Sequence, residues 1–278
     1  MSRRTETSPV TLSNPMTPLL SPDWPLAELS RFEDATLNAS APPQQRWLDG
    51  WQLRLSPGKA RRARSVHGLA RGLMPLDDRL AACAAAYREA GLPLIFRITP
   101  FTQPRDLDAA LAQRGFVVAD PTVVMACARL PSEPGDAPAG AVLARPDHTE
   151  FAEALGMLRG SPAAHRHSQA ERLKQSPAPY QGWLLRRQDD GAVLACAQTA
   201  REGDFVGLYD VFVARDQRGQ GVSRWLCAAL LARARAEGAR LGYLQVQADN
   251  LPAIGVYRRL GFTDGYSYHY RGLPGQTA

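Results

Sequence analysis

Lysine is nearly missing from this chain: Lys59 and Lys174 are the only two among 33 basic residues, and all the others are arginine. The net charge of +6 by itself admits a nucleic-acid partner, but no basic block is interleaved with aromatic residues, so none is expected, and the same sign of charge suits an anionic cofactor. Also missing is any apolar run near the roughly 18 residues that a membrane span requires. The stretch after Arg3 and Arg4 is rich in Ser, Thr and Pro and holds no apolar secretion core. No membrane partner and a cytoplasmic location are therefore expected. Cysteine is sparse: Cys83, Cys127, Cys196 and Cys227 stand far apart inside apolar segments, with no CxxC pair and no spacing that closes a zinc site. They are expected to be buried core residues. His165 and His167 have no third ligand at a useful spacing and read as solvated loop residues, so no metal is expected.

What is present is an ordinary globular composition, 45% hydrophobic and 22% charged, over 278 residues, a length that accommodates two domains. Residues 1–24 are rich in Pro, Ser and Thr and predict a disordered tail. A short helical pattern at Leu26, Leu29 and Phe32 follows, and alternation at Trp51, Leu53 and Leu55 predicts one strand over 47–55. A helix over 79–90, a strand over 93–99, a helix over 106–114 and two strands over 116–119 and 122–130 complete a first unit, 25–130. The Pro/Gly-rich stretch 131–140 reads as a linker.

The second unit, 141–278, begins with a strand over 141–144, a helix over 149–158 and helical character around 168–174. A strand pair follows, 182–187 with 193–199. Strand 206–213 then feeds a loop and a helix over 222–237, followed by strand 242–248, helix 252–260 and a tyrosine-rich pair of strands. Strands enclosing helices in this order define an α/β class with a mixed sheet. Phe96 to Phe116 and Leu244 to Phe262 share the order strand, helix, Gly-Phe, which suggests a duplicated domain.

Two segments carry chemistry. Arg218, Gly219, Gln220, Gly221, Val222 and Ser223 lie between a strand and a helix, where glycines, exposed backbone N–H groups and the positive end of a helix dipole coincide. That combination binds phosphate, although alone it is also an ordinary strand-to-helix turn. The second segment runs from Asn250, a natural N-cap, through Pro252 in the first turn to Gly261 at the stop. Ala253, Val256, Tyr257 and Leu260 share one face of that helix. A tyrosine there is usually core, but a buried hydroxyl needs a polar partner.

Together these segments resemble the GNAT superfamily, the Gcn5-related N-acetyltransferases. Arg218, Gly221 and Ser223 match the cofactor loop Arg/Gln-x-x-Gly-x-Gly/Ala, with Ser in place of the final small residue, and Asn250, Ala253, Tyr257, Gly261 and Phe262 match the later segment without exception. The resemblance implies two GNAT-like domains, each a mixed, mostly antiparallel central sheet flanked by helices (α+β), of which 141–278 is catalytic and 25–130 degenerate. It implies acetyl-CoA as co-substrate, its pyrophosphate on the amides of 218–223, its pantetheine arm along Val211, Phe212 and Val213, and Asn250 touching that arm. Tyr257 would be the general acid for the departing thiolate, and a small-molecule or protein amine would attack directly. A catalytically silent acyl-CoA-binding or regulatory module is the alternative.

For a general base, Asp210 and Tyr209 stand beside the implied cofactor edge, and strand alternation sends them to opposite faces, so one at most points at substrate. Tyr266, Ser267, Tyr268, His269 and Tyr270 alternate like a strand, for which core packing is the default reading and an acceptor-lining face the alternative. The first unit has no Arg-x-x-Gly-x-Gly before its helix and no counterpart of Tyr257. It is expected to support the second unit or to shape its acceptor site. Its cluster Arg61, Arg62 and Arg64 reads as a solvated strand edge.

Overall fold

The computed structural model of the chain describes residues 19–58 and 60–276. Helix α1 (Leu26–Ala39) buries Leu29, Phe32, Thr36 and Ala39 at three- and four-residue intervals. Asp49 and Gly50, at φ 43° and 81°, make a tight turn between β1 (Gln45–Leu48) and β2 (Trp51–Arg54). The single strand expected over 47–55 is thus a hairpin, and Asp-Gly is the signal that marks it. After β3 (Val66–Gly68) come α2 (Leu76–Glu89), β4 (Ile95–Ile98), α3 (Leu107–Gln113) and β5 (Val117–Cys127). Strand β5 replaces the two short strands expected over 116–130; Asp120, at φ 46°, bends it without ending it.

The second unit supplies β6 (Ala141–Ala144), α4 (His148–Arg159), α5 (Ala163–Lys174), β7 (Tyr180–Arg187), β8 (Val193–Glu202) and β9 (Phe205–Val213). It ends with α6 (Val222–Ala236), β10 (Leu241–Gln247), α7 (Leu251–Arg259) and β11 (Thr263–Gly272). Asp147 caps α4 through Glu150 N, and Gly160 in the left-handed region stops it. The tyrosine-rich pair of strands expected at the end is one strand, β11.

All eleven strands form one sheet in the order β1-β2-β3-β4-β11-β5-β10-β9-β8-β7-β6. The centre of this order is an exchange. Strand β11 closes the second unit but pairs with β4 of the first, while β5 closes the first and pairs with β10 of the second. About the β11–β5 seam the order is symmetric: β4 answers β10, and β3, parallel to β4, answers β9, parallel to β10. Helices α2 and α3 correspond to α6 and α7 in the same way. The chain is therefore a tandem of two similar mixed α/β units, each completed by the other's last strand.

Side-chain alternation divides the core. Met125, Cys127, Leu244 and Val246 pack under α6 and α7, while Val124, Ala126, Tyr243, Tyr266, Tyr268 and Tyr270 pack under α1. Helices α4 and α5 cover the α1 side of β7 and β8 through Phe151, Leu155, Leu173, Leu184 and Cys196. All four cysteines are free and buried.

The segment before α1 departs from the expected disordered tail over 1–24. Residues 1–18 lie outside the described residues, but Leu20 bridges to Tyr266, Leu19 N donates to Ser267 Oγ (2.9 Å), and Trp24 stacks edge-on against Phe32. The linker 131–140 is fastened to α6 at Gly135, whose carbonyl accepts from Trp225 Nε1 (3.1 Å). No described helix is long and apolar enough to cross a membrane.

Candidate active site

Strands β9 and β10 pair in parallel only as far as Leu208 and Leu244, after which they splay. Beyond that point Val211, Phe212 and Val213 present a strand edge with no neighbour on the β10 side. The cause lies in β9 itself. The β8 register passes from Cys196 opposite Phe212 to Gln198 opposite Tyr209, so Asp210 and Val211 share one partner position, and Asp210 takes φ 48°. This bulge bends the strand and opens the sheet.

A cleft of about 880 Å³ lies between the free edge, the loop before α6 and the start of α7. Arg218, Gly219, Gly221, Val222 and Ser223 line it, as does Asn250. Gly219 and Gly221 have φ 76° and 78°, and a Cβ on either would meet nothing within 4 Å, so glycine is required here by backbone conformation rather than by crowding. Gly221 is the N-cap of α6 and has no side chain to occupy the first amides of the helix. Those amides are left for an anion. Arg218 is pinned by Nε donating to the Val213 carbonyl (3.2 Å) and lies 5.4 Å from the Phe212 ring centroid. Gln220 departs from the other loop residues: its amide donates to the Asp216 carbonyl (3.0 Å) instead of facing the cleft.

Asn250 Oδ1 accepts from Ala253 N (3.3 Å), the cap expected for α7. The cleft also includes Gln217, Arg224 and Arg259, which sequence reading passed over. Their signal was positional: Arg224 stands one residue after Ser223, and Arg259 ends the helix that Asn250 begins. They add positive charge where the helix dipoles already favour an anion.

Tyr257 does not line this cleft. It sits one turn behind Ala253, packed edge-on against Phe262 with ring centroids 6.1 Å apart, and its hydroxyl has no hydrogen-bond partner among the described residues. Burial, helped by the nearby Cys227, pushes the phenol above its ordinary range and keeps it protonated. Asp210 is held by Arg159 (3.0 Å) at the end of α4 and by Gln169 Nε2 (3.4 Å) in α5. Tyr209 lies on that same side, its hydroxyl 2.8 Å from that of Tyr243 and its ring against Tyr180. Strand alternation predicted opposite faces for Tyr209 and Asp210; the bulge suspends it.

The place in the first unit that corresponds to the loop before α6 is already filled. The Asp49 carboxylate accepts from the amides of Leu73 (2.9 Å) and Met74 (2.8 Å) and pairs with Arg79 (2.7 Å). Those amide bonds hold the Asp49 carboxyl below its usual range. The expectation of a solvated edge for Arg61, Arg62 and Arg64 is also overturned. Arg61 pairs with Asp120 (2.7 Å), and Arg62 crosses into the second unit to bond Gln245 Oε1. Among the described residues no group of three or more His, Cys, Asp or Glu is placed to hold a metal.

The chain is a tandem of mixed sheets with a splayed parallel pair and a helix start open to an anion. Residues 157–262 match the model of the acetyltransferase (GNAT) family, and the chain carries a GNAT domain in its C-terminal half. It is 27% identical over 231 residues to the uncharacterized N-acetyltransferase YobR of Bacillus subtilis, covering 82% of this chain and 91% of that one. A GCN5-related N-acetyltransferase from Kribbella flavida superposes with a TM-score of 0.64 at 20% identity, over 89% of this chain and 96% of the other. A tandem GNAT protein from the clavulanic acid biosynthesis pathway superposes with a TM-score of 0.59 at 18% identity, over 92% and 96%. The chain is thus an acetyl-transferring enzyme of the N-acetyltransferase class, built as a tandem.

Proposed function

We propose that the chain transfers an acetyl group from acetyl-CoA to a primary amine by direct attack, in the C-terminal unit. The observation that carries this reading is the meeting, in one cleft, of the free edge at Val211, Phe212 and Val213 with a helix start built on Gly219 and Gly221. The edge offers backbone N–H and C=O groups to an amide-bearing arm as a further strand would. The amides of loop 218–223, with Arg224 and Arg259, suit a pyrophosphate. Asn250, its Oδ1 engaged in the cap, keeps its N–H₂ for the arm. Acetyl-CoA supplies the reactive thioester.

Tyr257, one turn behind the cleft lining, is the acid candidate for the departing thiolate, a role that requires its hydroxyl to meet the sulfur at the inner end of the cleft. Asp210, on the side away from α6, is the base candidate for the amine proton. The first unit, with its own anion place closed by Asp49, acts by shaping the acceptor side. The acceptor is a small-molecule or protein amine, and the setting is cytoplasmic. A silent acyl-CoA-binding module is favoured by one observation, the engagement of both Asp210 carboxylate oxygens.

Calorimetry with acetyl-CoA, followed by thiol release across an amine panel, tests both readings. Binding with turnover is expected. Binding without turnover on any amine selects the silent module, and no binding overturns both.

A further inference from the structure

On the face of the sheet opposite the cleft, polar atoms that folded proteins ordinarily pair are left unpaired at one place. Gln198 is completely buried, and neither its Nε2 nor its Oε1 has a partner among the described residues. It stands opposite Tyr209, at the edge of the bulge that carries Asp210. Arg62 reaches the same face from the loop between β2 and β3. Its Nη1 bonds Gln245 Oε1 and Tyr268 OH (3.4 Å), its Nε is sealed from solvent, and among the described residues that Nε has no partner and no carboxylate pairs with the guanidinium.

Gln245 follows Leu244, the last residue of β10 that pairs with β9. Arg62 is therefore beside the point where β9 and β10 part, on the face opposite the cleft. Gln245 is fixed from both ends: Tyr268 OH donates to its Oε1 (2.7 Å), and its Nε2 donates to Thr36 Oγ1 (2.8 Å). Tyr180 and Tyr209 feel the charge of Arg62, and Tyr180 feels that of Asp210 as well, so these tyrosines stand between the two charges.

The surroundings are cationic beyond Arg62. Arg97 lies over the Tyr268 ring (3.9 Å), and Arg54 is satisfied only by carbonyls, a hydroxyl and Gln52. Among these three guanidiniums the one carboxylate that pairs is Glu33, bonded to Arg97. His67 does not balance them: burial and then Arg54, Arg97 and Arg62 hold its pKa well below the usual value. Among the described residues neither Arg62 nor Arg54 thus has a carboxylate partner. Leaving a cation partly desolvated and unpaired is costly, and such a group is commonly completed by its ligand.

We infer that the acceptor is an amine that also carries a carboxylate, the carboxylate bound by Arg62 of the first unit and the amine held between Asp210 and the splay. This rests on the reading of the cleft as the acetyl-CoA site. It also gives the silent unit a direct role, because Arg62 is the only charged side chain it contributes to Gln245 among the described residues. A planar guanidinium with free N–H groups matches a carboxylate two bonds at a time and discriminates against an amide, which offers one acceptor and a competing donor.

The test pairs each of a set of amino acids with its carboxamide at saturating acetyl-CoA and reads thiol release for the wild-type chain and for Arg62→Gln and Arg62→Lys. The wild type is expected to favour the carboxylate at least about tenfold in kcat/KM, mainly through KM, as for a charge-assisted hydrogen bond. Arg62→Gln brings that ratio near one while the Kd for CoA stays as in the wild type, and Arg62→Lys keeps part of the preference. A wild type indifferent to the carboxylate, or an Arg62→Gln variant that retains the preference, overturns the assignment. Should Arg62→Gln fail to bind CoA through misfolding, the wild-type ratio alone decides. If no amine releases thiol, the acetyl-transfer reading fails by itself. Calorimetric titration of the same pairs then still judges Arg62: selective binding of the carboxylates supports it, and its absence overturns it.

Discussion

Tyr257 packs into the core and, in the proposed reaction, is also the acid. Its ring completes the core between α6 and α7, and the same burial raises its pKa by making the phenolate costly. In the proposed reaction the raised pKa keeps Tyr257 protonated, and it also makes transfer to a thiolate whose conjugate acid lies near 8.5 uphill. Tyr257→Phe keeps the ring contact with Phe262 and removes only the proton. It is expected to lower kcat about 100-fold while the Kd for CoA, read by calorimetry, stays close to that of the wild type. Because the phenol is shifted upward, no alkaline loss of kcat from Tyr257 is expected below about pH 10. A loss centred near pH 8 in the wild type, persisting in Tyr257→Phe, would assign that limb to another group.

At the scale of elements, the loop before α6 and the bulge in β9 each turn one local conformation into part of the cleft proposed to hold CoA. Gly221 stands at φ 78° with open space around its missing Cβ. Gly221→Ala therefore meets no clash within the protein; its cost is the left-handed backbone, about 1 kcal/mol, together with a methyl group facing the anion. The expected result is a thermal midpoint lower by a few degrees and a Kd for CoA raised about tenfold, the second by calorimetry. This loop, the Asn250 cap and the Gly stops were legible in the sequence because each depends on residues within a few positions of one another. The bulge was not. Aspartate tolerates φ 48°, but that tolerance does not mark Asp210 out from other aspartates, and the register shift that uses it is a relation to Cys196 and Gln198 in another strand. Arg62 was hidden for the same reason: a run of arginines reads as solvated until a partner such as Gln245, 183 positions away, is brought to it.

For the whole molecule, the exchange of β5 and β11 makes each half incomplete without the other. Local periodicity gives β11 its strand character, but nothing near it in sequence names β4 as its neighbour; across from it, Asp108 of α3 ties β11 to the first unit, accepting from Arg271 (2.7 and 3.0 Å) and contacting His269 (2.8 Å). Burial alone would raise the Asp108 pKa, but these two partners hold it at about 2. With the folded pKa below the unfolded one, Asp108 stabilises the native state above about pH 4 and loses that contribution as pH falls toward 2. His67 acts at higher pH in the same direction. Its folded pKa is depressed, so the unfolded chain takes up the proton first, and stability declines as pH drops below about 6.5. Two acid-sensitive limbs are expected in the free energy of urea unfolding. Asp108→Asn should remove the lower limb and cost about 3 kcal/mol at pH 7, because Arg271 is left buried without its carboxylate. Since β11 ties the two units into one sheet, that loss should shift a single cooperative transition for both halves. Two separated transitions, with the C-terminal unit unaffected, would show that the exchanged strands do not couple the units.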